Sequence, residues 1–377
     1  MQKESYKIVF ITGTRADFGK LKSLIKRLQG NPNFEIHIFV TGMHMLTKYG
    51  YTCDEVEKSG WPNIYKYVNQ NSSDSMDHIL AKTISGLSDF VREILPDLLI
   101  IHGDRVEALA GASVGALNNI LTGHIEGGEV SGTVDELIRH AVTKLSHVHF
   151  VSNGDARKRI IQLGENPDSV HVIGSPDIDL MAQSALIPLD DVKKRYEFNF
   201  DEYAILMFHS VTSELNDISR QIKVIVDEVI DSKLNFIVIF PNNDPGTDEI
   251  INEYKRLAQI NRFKIYPSMR FEFFLSLLNS ANFIIGNSSA GVREAPHFGV
   301  PAINLGSRQS NRVSSKCVFN EEIMPGKIYD AISSISKLNI DPVSLFGHGN
   351  SNEKFYELLN SSNFWQTDMQ KYFIDQN

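Results

Sequence analysis

Carboxylates follow short apolar segments at two points in the first half of the chain. Asp104 stands in the sequence HGDR and Glu126 in HIEGGE, each after a largely apolar run and a small residue. Two or three carboxylates held close together can share the general acid and general base steps of a reaction. Glu129, Asp135 and Glu136 are further candidates, although acids at a helix start often serve only to interact with the helix dipole. We therefore expect chemistry from the first two and leave both interpretations open for the other three.

A polar segment in the second half, IIGNSSAGVREA, is suited to binding a phosphate group. An apolar strand runs into Ser288, Ser289 and Gly291 and then opens a helix, whose free N–H groups would hold an anion together with the serine hydroxyls. Arg15 could pair with the same phosphate, and Glu294 could accept hydrogen bonds from ribose hydroxyls. The alternatives are a serine that only caps the helix, a surface arginine and a solvated carboxylate.

Other nucleotide-binding motifs are absent from the sequence. No strand is followed by GxGxxG, and the two Gly-Lys pairs lack the Ser or Thr of a P-loop. The usual motifs for binding ATP or a dinucleotide are therefore missing, and we predict no cofactor.

Histidines stand at the ends of several predicted strands, namely His102, His124 and His209. A lone histidine on a strand is usually structural, and no HExxH or similar spacing predicts a zinc site, so we predict no metal. His209, in FHS, is the exception, because it ends the first strand of the second half and could face the acids. Ser210 beside it lacks the GxSxG setting of a hydrolase nucleophile.

The elements that must position these residues alternate regularly along the chain. Apolar runs rich in Val, Ile and Phe are separated by helical patterns, which is typical of βαβ units and parallel sheets. The predicted strands span residues 7–13, 35–42, 97–103, 121–127, 147–152 and 170–175 in the first half, and 203–209, 235–241, 263–267, 281–286 and 301–305 in the second. The sequence therefore predicts an α/β protein with two Rossmann-like lobes.

The predicted boundary lies in a turn-rich segment close to Pro176, so the lobes span residues 1–176 and 177–352. A last helical stretch, with its pattern over residues 353–373, forms a third segment, 353–377, which we consider able to pack back on the first lobe. In open parallel sheets, ligands bind beyond the carboxyl ends of the strands, where this chain has its polar residues. We expect the two lobes to face one cleft that contains the active site.

The overall composition excludes several classes of protein. The chain has 377 residues, a net charge of −9 and two distant cysteines, Cys53 and Cys317. The acidic balance argues against nucleic acid as the main partner, because binding a phosphate backbone requires clustered Lys and Arg. No apolar run approaches the roughly 18 to 20 residues that span a bilayer, and the start does not read as a signal peptide. We expect a cytoplasmic protein without a membrane partner.

Taken together, the segments GTRADFG (13–19), TGMH, HGDR, HIEGGEVSGTVDELIRHAVTKLSH, GSPD, GNSSAGVREA and NLGSRQ resemble the hydrolysing UDP-N-acetylglucosamine 2-epimerases. The resemblance runs from about residue 7 to about residue 350. It implies a fold of the glycosyltransferase-B type, with UDP bound in the interlobe cleft. It also implies that UDP-N-acetylglucosamine (UDP-GlcNAc) and water become N-acetylmannosamine (ManNAc) and UDP, the first step of sialic acid and capsule synthesis.

The resemblance also implies roles for the candidate residues. The acids and bases would be Asp104, Glu126 and either Asp135 or Glu136, with His209 assisting near the leaving phosphate. UDP would be held by Arg15, Ser288, Ser289, Gly291 and Glu294, with Arg308 and Gln309 on the uridine side. Family members are typically dimers or tetramers, so we expect a homodimer or a homotetramer.

Three alternatives remain open at the level of sequence. A related hydrolysing enzyme acts on UDP-N,N'-diacetylbacillosamine. A retaining glycosyltransferase of the same architecture would also use the phosphate-binding segment and Glu294, but has less need for the acids of the first lobe. A UDP-sugar sensor without catalytic activity is the third, although no signalling or DNA-binding domain is appended.

Overall fold

The computed structural model of the chain describes residues 5–71, 73–131, 134–183, 186–309, 315–335, 338 and 340–375. The strands are β1 Tyr6–Thr12, β2 Phe34–Val40, β3 Ile64–Lys66, β4 Leu98–His102, β5 Leu121–Ile125, β6 Val148–Val151, β7 Val170–Val172, β8 Ala204–Met207, β9 Phe236–Ile239, β10 Phe263–Tyr266, β11 Ile284–Gly286, β12 Ala302–Leu305 and β13 Val318–Glu321. Every strand predicted from the sequence is present. The prediction missed β3 and β13, which are short and lack a continuous apolar run.

The helices alternate with these strands. They are α1 Arg15–Leu28, α2 Cys53–Glu57, α3 Met76–Ile94, α4 Val106–Leu117, α5 Val134–Leu145, α6 Gly154–Gln162, α7 Pro176–Gln183, α8 Leu189–Tyr196, α9 Ile218–Asp231, α10 Thr247–Leu257, α11 Phe271–Asn279, α12 Ser289–Val292, α13 Glu294–His297, α14 Lys327–Ile335 and α15 Ser351–Asn360. Short 3-10 helices span Gly42–Met45, Thr47–Tyr49, Pro167–Ser169, Thr212–Asp217 and Phe364–Gln366.

The chain divides into two compact units. The first contains Met1–Glu129, Asp135–Ser184 and Phe346–Asn377, and the second contains Val130–Val134 and Ala185–Leu345. The predicted α/β class with two parallel-sheet units is confirmed.

The described strands of the first unit form a parallel sheet in the order β3-β2-β1-β4-β5-β6-β7. Successive residues of β1, such as Ile8, Val9 and Phe10, are fully buried, as expected for a strand covered on both faces. The strand order reverses between β1 and β4. In such sheets a ligand binds beyond the carboxyl ends of the strands at this reversal.

The second unit repeats the arrangement with the order β10-β9-β8-β11-β12-β13, again parallel among the described strands. Its reversal lies between β8 and β11, where Leu206 pairs with Ile285 and Met207 with Gly286. The segments FHS and GNSS follow these two strands, so the fold brings them together.

The boundary of the first unit lies later than the predicted position near residue 176. Helix α7 belongs to the first unit, where its Asp177 lies 3.1 Å from the ammonium group of Lys20. Asp179 of the same helix accepts hydrogen bonds from the backbone N–H groups of Ser351 and Asn352, at 2.8 and 2.9 Å. Residues 346–352 therefore also belong to the first unit, because a buried carboxylate of α7 caps α15.

The C-terminal helical segment is shorter than predicted. Helix α15 ends at Asn360 instead of continuing to residue 373, because the serines and asparagine that follow compete for backbone hydrogen bonds. Phe355 of α15 packs edge-on against Phe150 of β6, with 4.9 Å between the ring centroids. This contact lies in the hydrophobic core of the first unit. Among the residues described, no helix combines the length and apolarity that crossing a bilayer requires.

Candidate active site

Asp104 follows β4, next to the reversal of strand order in the first sheet. Arg139 on α5 donates a hydrogen bond from Nη2 to the carboxylate of Asp104. Its Nη1 donates a second one to the carbonyl of Glu129, at 3.1 Å. Only 1% of Arg139 is exposed. Burial alone would lower the pKa of Arg139, but the charges of Asp104, Glu129 and Asp135 raise it. One buried cation therefore lies among three of the predicted acids.

The turn that carries Asp104 is held by His124 of β5. The Nε2–H group of His124 donates to the carbonyl of Gly103 at 2.9 Å, and its Nδ1 accepts from the hydroxyl of Thr143 at 3.2 Å. Gly103 has φ +74°, a left-handed conformation that glycine adopts without strain. Burial lowers the pKa of His124 to about 3, so the ring is neutral at pH 7. His124 therefore positions the turn.

Glu126 follows β5 and is 5% exposed. Its backbone is left-handed, with φ +63°, and its N–H donates to the carbonyl of Phe150 at 2.9 Å. Ser175 donates a hydroxyl hydrogen bond to Oε1. His102 Nε2 and Lys20 Nζ lie 3.1 and 3.8 Å from Oε2. A carboxylate held among a cation and proton-bearing side chains is placed to exchange a proton with a ligand.

Lys20, which the sequence analysis did not single out, lies beside Glu126. It is 7% exposed, and its ammonium group lies 3.1 Å from Asp177 and 3.8 Å from Glu126. A signal was present in the sequence, because Lys20 shares the buried face of α1 with Leu21 and Leu24. A lysine on an apolar helix face needs a buried carboxylate as partner.

The remaining acids of the first unit lie in different surroundings. Glu129 is 3% exposed, and its carboxylate accepts a hydrogen bond from the hydroxyl of Ser152 at 3.1 Å. Asp135 and Glu136 lie in the first turn of α5. Glu136 lies 3.3 Å from His140, one helical turn later, at a half-exposed position. The structure thus associates Asp135 and Glu129 with Arg139 and Asp104, and Glu136 with His140.

Arg15 lies at the start of α1, immediately after β1 and the turn that follows it. Thr14 and Asp17 form a capping box that fixes this helix end. The guanidinium of Arg15 pairs with Glu55 through Nη2 and Oε1, 2.6 Å apart, and its side chain is 19% exposed. An anion that binds Arg15 must therefore compete with Glu55 or share the arginine with it.

In the second unit, the segment GNSSAGVREA begins at a close approach of two strands. Gly286 has φ +134°, and a Cβ atom there would collide with the carbonyl of Met207 on β8. Ser288 caps α12 by accepting a hydrogen bond from the N–H of Ala290 at 3.3 Å. The half-buried Ser289 begins the helix, and the buried Gly291 lies inside it.

The helix that opens here is short. α12 has four residues and ends at Val292, and α13 begins at Glu294 after the single intervening residue Arg293. Pro296 in α13 lacks the N–H that would continue the helical bonding, which accounts for the break. One turn supplies little helix dipole, so hydroxyls and single N–H groups remain as anion donors. Glu294 itself is 3% exposed.

His209 follows β8 and is joined to the GNSS segment through Asn287. The backbone N–H of His209 donates to Oδ1 of Asn287 at 2.7 Å, and the His209 carbonyl accepts from Nδ2 at 2.8 Å. The carbonyl of Asn287 in turn accepts from Arg308 Nη1 at 3.3 Å and from Gln309 Nε2 at 3.1 Å. Asn287, which the sequence analysis did not single out, therefore links three predicted residues of the second unit.

Metal-ligand chemistry has no candidate in the part of the chain that the structure describes. There, no group of three or more His, Cys, Asp and Glu side chains lies so as to hold a metal ion. Cys53 and Cys317 are both buried and free.

Comparison with solved structures defines the class of the fold. The chain is similar to a UDP-GlcNAc 2-epimerase from Neisseria meningitidis bound to UDP-GlcNAc, with a TM-score of 0.79, 20% identity and coverage of 94% of this chain and 99% of that one. It is also similar to a glycosyltransferase from Glycyrrhiza uralensis, with a TM-score of 0.56, 13% identity and coverage of 96% of each chain. The protein therefore has the predicted fold of the glycosyltransferase-B type.

Comparison of sequences identifies the family. The model of the UDP-N-acetylglucosamine 2-epimerase family matches residues 26–360, and the chain belongs to this family, which confirms the resemblance drawn from its motifs. The chain is 46% identical to the UDP-N-acetylglucosamine 2-epimerase of Neisseria meningitidis serogroup B, over 98% of this chain and 99% of the relative.

Two further relatives are each 32% identical to the chain. One is the UDP-N,N'-diacetylbacillosamine 2-epimerase (hydrolyzing) of Legionella pneumophila, with 94% of this chain and 95% of the relative covered. The other is the polysialic acid biosynthesis protein P7 of Escherichia coli, with 87% and 85% covered.

Proposed function

We propose that the protein is a hydrolysing UDP-GlcNAc 2-epimerase, which converts UDP-GlcNAc and water to ManNAc and UDP. The observation that carries this proposal is the 46% identity to the Neisseria UDP-N-acetylglucosamine 2-epimerase over nearly the whole of both chains. The hydrolysing outcome is supported by the Legionella relative, whose name specifies it. The E. coli polysialic acid protein supports a place at the start of sialic acid and capsule synthesis.

The proposed reaction has two stages. The C2–H of the sugar is not acidic by itself, so UDP leaves C1 before or together with removal of the C2 proton. A carboxylate takes that proton, and the products of this stage are 2-acetamidoglucal and UDP. In the second stage, the hydroxyl of a water molecule adds to C1 and a proton is delivered to C2. This proton arrives on the face of C2 opposite to the one that lost the first proton, which gives ManNAc.

The acids of the first unit are proposed to carry out these proton transfers. Asp104 is fixed by Arg139, while Glu126 is surrounded by Lys20, His102 and Ser175. These different surroundings support a division of labour between two carboxylates. We propose Asp135 as the third acid, because its negative charge raises the pKa of Arg139, which also contacts Asp104. Glu136 is associated with His140 instead.

The second unit is proposed to hold UDP. Ser288 and Ser289 would donate hydroxyl hydrogen bonds to the diphosphate, beside the buried Gly291, and Glu294 would accept from the ribose hydroxyls. His209 would assist near the leaving phosphate. From the remaining predictions, we propose that Arg15 also contributes to the diphosphate, and Arg308 and Gln309 to the uridine.

UDP-N,N'-diacetylbacillosamine is the second candidate substrate, because the Legionella relative is named for it. A retaining glycosyltransferase has support only from the fold.

We further propose that the enzyme is cytoplasmic and forms a homodimer or a homotetramer. Light scattering coupled to gel filtration tests the oligomeric state.

The function is tested by incubating the protein with UDP-GlcNAc or UDP-N,N'-diacetylbacillosamine in heavy water, without an acceptor. We expect UDP and free ManNAc from UDP-GlcNAc, with deuterium at C2, because the departing proton exchanges or is replaced from a side chain that carries deuterium. UDP-ManNAc without release of UDP would indicate a non-hydrolysing enzyme, and preferential turnover of the bacillosamine substrate would change the substrate assignment. Retention of protium at C2 would exclude the route through 2-acetamidoglucal.

A further inference from the structure

The ring of His209 is oriented by a backbone hydrogen bond within the second unit. The N–H of Asn242, which follows β9, donates to Nδ1 of His209 at 3.1 Å, and His209 is 6% exposed. Because a backbone N–H can only donate, Nδ1 must present its lone pair. An imidazolium ion and the neutral tautomer with hydrogen on Nδ1 are both incompatible with this contact. The contact therefore selects the neutral ring with its hydrogen on Nε2.

The backbone of His209 is fixed by a second, two-way contact. The amide of Asn287 accepts from the His209 N–H and donates to the His209 carbonyl, at 2.7 and 2.8 Å. This pair sets the orientation of the amide, since only its oxygen can accept from an N–H and only its nitrogen can donate to a carbonyl. Asn287 is fully buried, and its position just after β11 is constrained by the close approach of Gly286 to Met207.

From these contacts, we propose that Asn287 is a positioning residue that presents His209 as a neutral hydrogen-bond donor through Nε2. The inference rests on the proposed function, in which Nε2–H would donate to a diphosphate oxygen as UDP leaves C1. A fixed donor aimed at developing negative charge favours the transition state over the ground state. A ring in this state has no lone pair on Nε2 and does not take the C2 proton through that atom. That proton therefore goes to a carboxylate of the first unit.

The tautomer is tested by nitrogen NMR on protein labelled with 15N-histidine, independently of any activity. The signals of His209 are assigned by their loss in His209→Gln. We expect its Nδ1 to resonate in the range of an unprotonated ring nitrogen and its Nε2 in the range of a protonated one, at pH 7. An imidazolium pattern, or the reverse tautomer, overturns the inference.

The positioning role is tested with Asn287→Asp, which keeps the size of the side chain but removes its N–H donor. We expect kcat to fall by about 10-fold or more with KM changed much less, because the contact matters most in the transition state. Asn282→Asp is the matched control, since Asn282 accepts from the N–H of Tyr203 at the opposite end of the same strands and is exposed. Its kcat should equal that of the wild type.

A double variant separates positioning from a merely structural role. If Asn287 acts through His209, Asn287→Asp should cost little further activity in a protein that already carries His209→Gln. Full additivity, or unchanged kcat in Asn287→Asp, overturns the positioning role. Failure of the proposed function has a different signature, because no UDP-sugar would be turned over while the tautomer of His209 would still be found as predicted.

Discussion

Arg139 donates a hydrogen bond to Asp104, which precedes it by 35 positions in the chain. The side chain of Arg139 is 1% exposed and that of Asp104 is 27% exposed. The cation is therefore buried, while the carboxylate that it fixes reaches solvent at the carboxyl end of β4. This relationship links helix α5, which begins next to Asp135, to the strand end that carries Asp104.

Replacing Arg139 by methionine should destabilise the first unit strongly. The change keeps an unbranched side chain but leaves Asp104 and the carbonyl of Glu129 without their buried donor, and we expect a loss of about 3 kcal/mol or more. Both tryptophans of the chain, Trp61 and Trp365, lie in the first unit, so urea unfolding followed by tryptophan fluorescence reports its stability.

Arg27→Met is the matched control for this change. Arg27 pairs with Glu353 at 2.8 Å in the same unit, but the two side chains are 32% and 51% exposed. Loss of an exposed pair should cost at most about 1 kcal/mol. Equal losses in the two variants would show that the pair of Arg139 and Asp104 has no special energetic role.

Asp104→Asn and Glu126→Gln should each abolish most of the proposed activity. Both changes keep the size of the side chain and remove its ability to accept and return a proton, so turnover should fall by roughly 10²-fold or more. Binding of UDP, measured by calorimetry, should survive because the proposed UDP-binding residues lie mainly in the second unit.

The products of these two variants distinguish the stages of the reaction. A variant impaired only in hydration should release 2-acetamidoglucal, and one impaired in elimination should release nothing. Near-normal turnover in both would mean that these carboxylates are structural, and that the acids must be sought at Glu129, Asp135 and Glu136.

Local sequence signals predicted the strands and the strand-end residues, because alternation of apolar runs and helical patterns depends on near neighbours in the chain. The pairing of Lys20 with Asp177, the last residue of the segment GSPD, was not predictable in this way, since 157 positions separate the two residues. The role of Asn287 was hidden for a similar reason, because its partner His209 lies 78 positions away. The length of α15 was overestimated because the serines that follow it break helical bonding without altering apolar periodicity.

His124 should make the first unit sensitive to mild acid. Burial lowers its pKa to about 3 in the folded chain, from the ordinary value of 6.5. Below pH 6.5 the unfolded chain therefore binds a proton that the folded chain excludes, and the free energy of unfolding decreases by about 1.4 kcal/mol per pH unit. In His124→Gln, the decrease between pH 7 and pH 5 should be smaller than in the wild type by about 2 kcal/mol.

Urea unfolding at the two pH values, followed by tryptophan fluorescence, measures this difference. His78→Gln is the control, because His78 is exposed on α3 and should leave the pH dependence unchanged. A His124 variant with the pH dependence of the wild type would contradict the proposed burial of a neutral ring. Burial also lowers the pKa of His44, to about 4. His44 therefore contributes a similar pH dependence of stability, which remains in His124→Gln and in His78→Gln.

The C-terminal segment should stabilise α5 through Lys371, which lies outside the residues matched by the family model. The ammonium group of Lys371 donates to the carbonyls of Ser146, Lys144 and Thr143 around the end of α5, and lies 2.7 Å from the carboxylate of Glu165. A cation at this position donates to carbonyls at the end of the helix and interacts favourably with the helix dipole. Lys371→Met should therefore lower the free energy of unfolding at pH 7 by about 2 kcal/mol.

The same variant should differ less from the wild type in acid. Burial alone would raise the pKa of Glu165, but hydrogen bonds from His149, Lys144 and Lys371 lower it to about 2. The stabilisation from this depressed pKa is complete above about pH 4.5 and is lost as the pH falls toward 2, because the unfolded chain is protonated first. The difference between wild type and Lys371→Met in urea unfolding should accordingly shrink between pH 7 and pH 3.5. Lys158→Met is the control, because it removes only an exposed pair with Asp155. It should lower the free energy of unfolding by at most about 0.5 kcal/mol at either pH. If Lys371→Met lowered it equally little, the stabilising role of the C-terminal segment would be excluded.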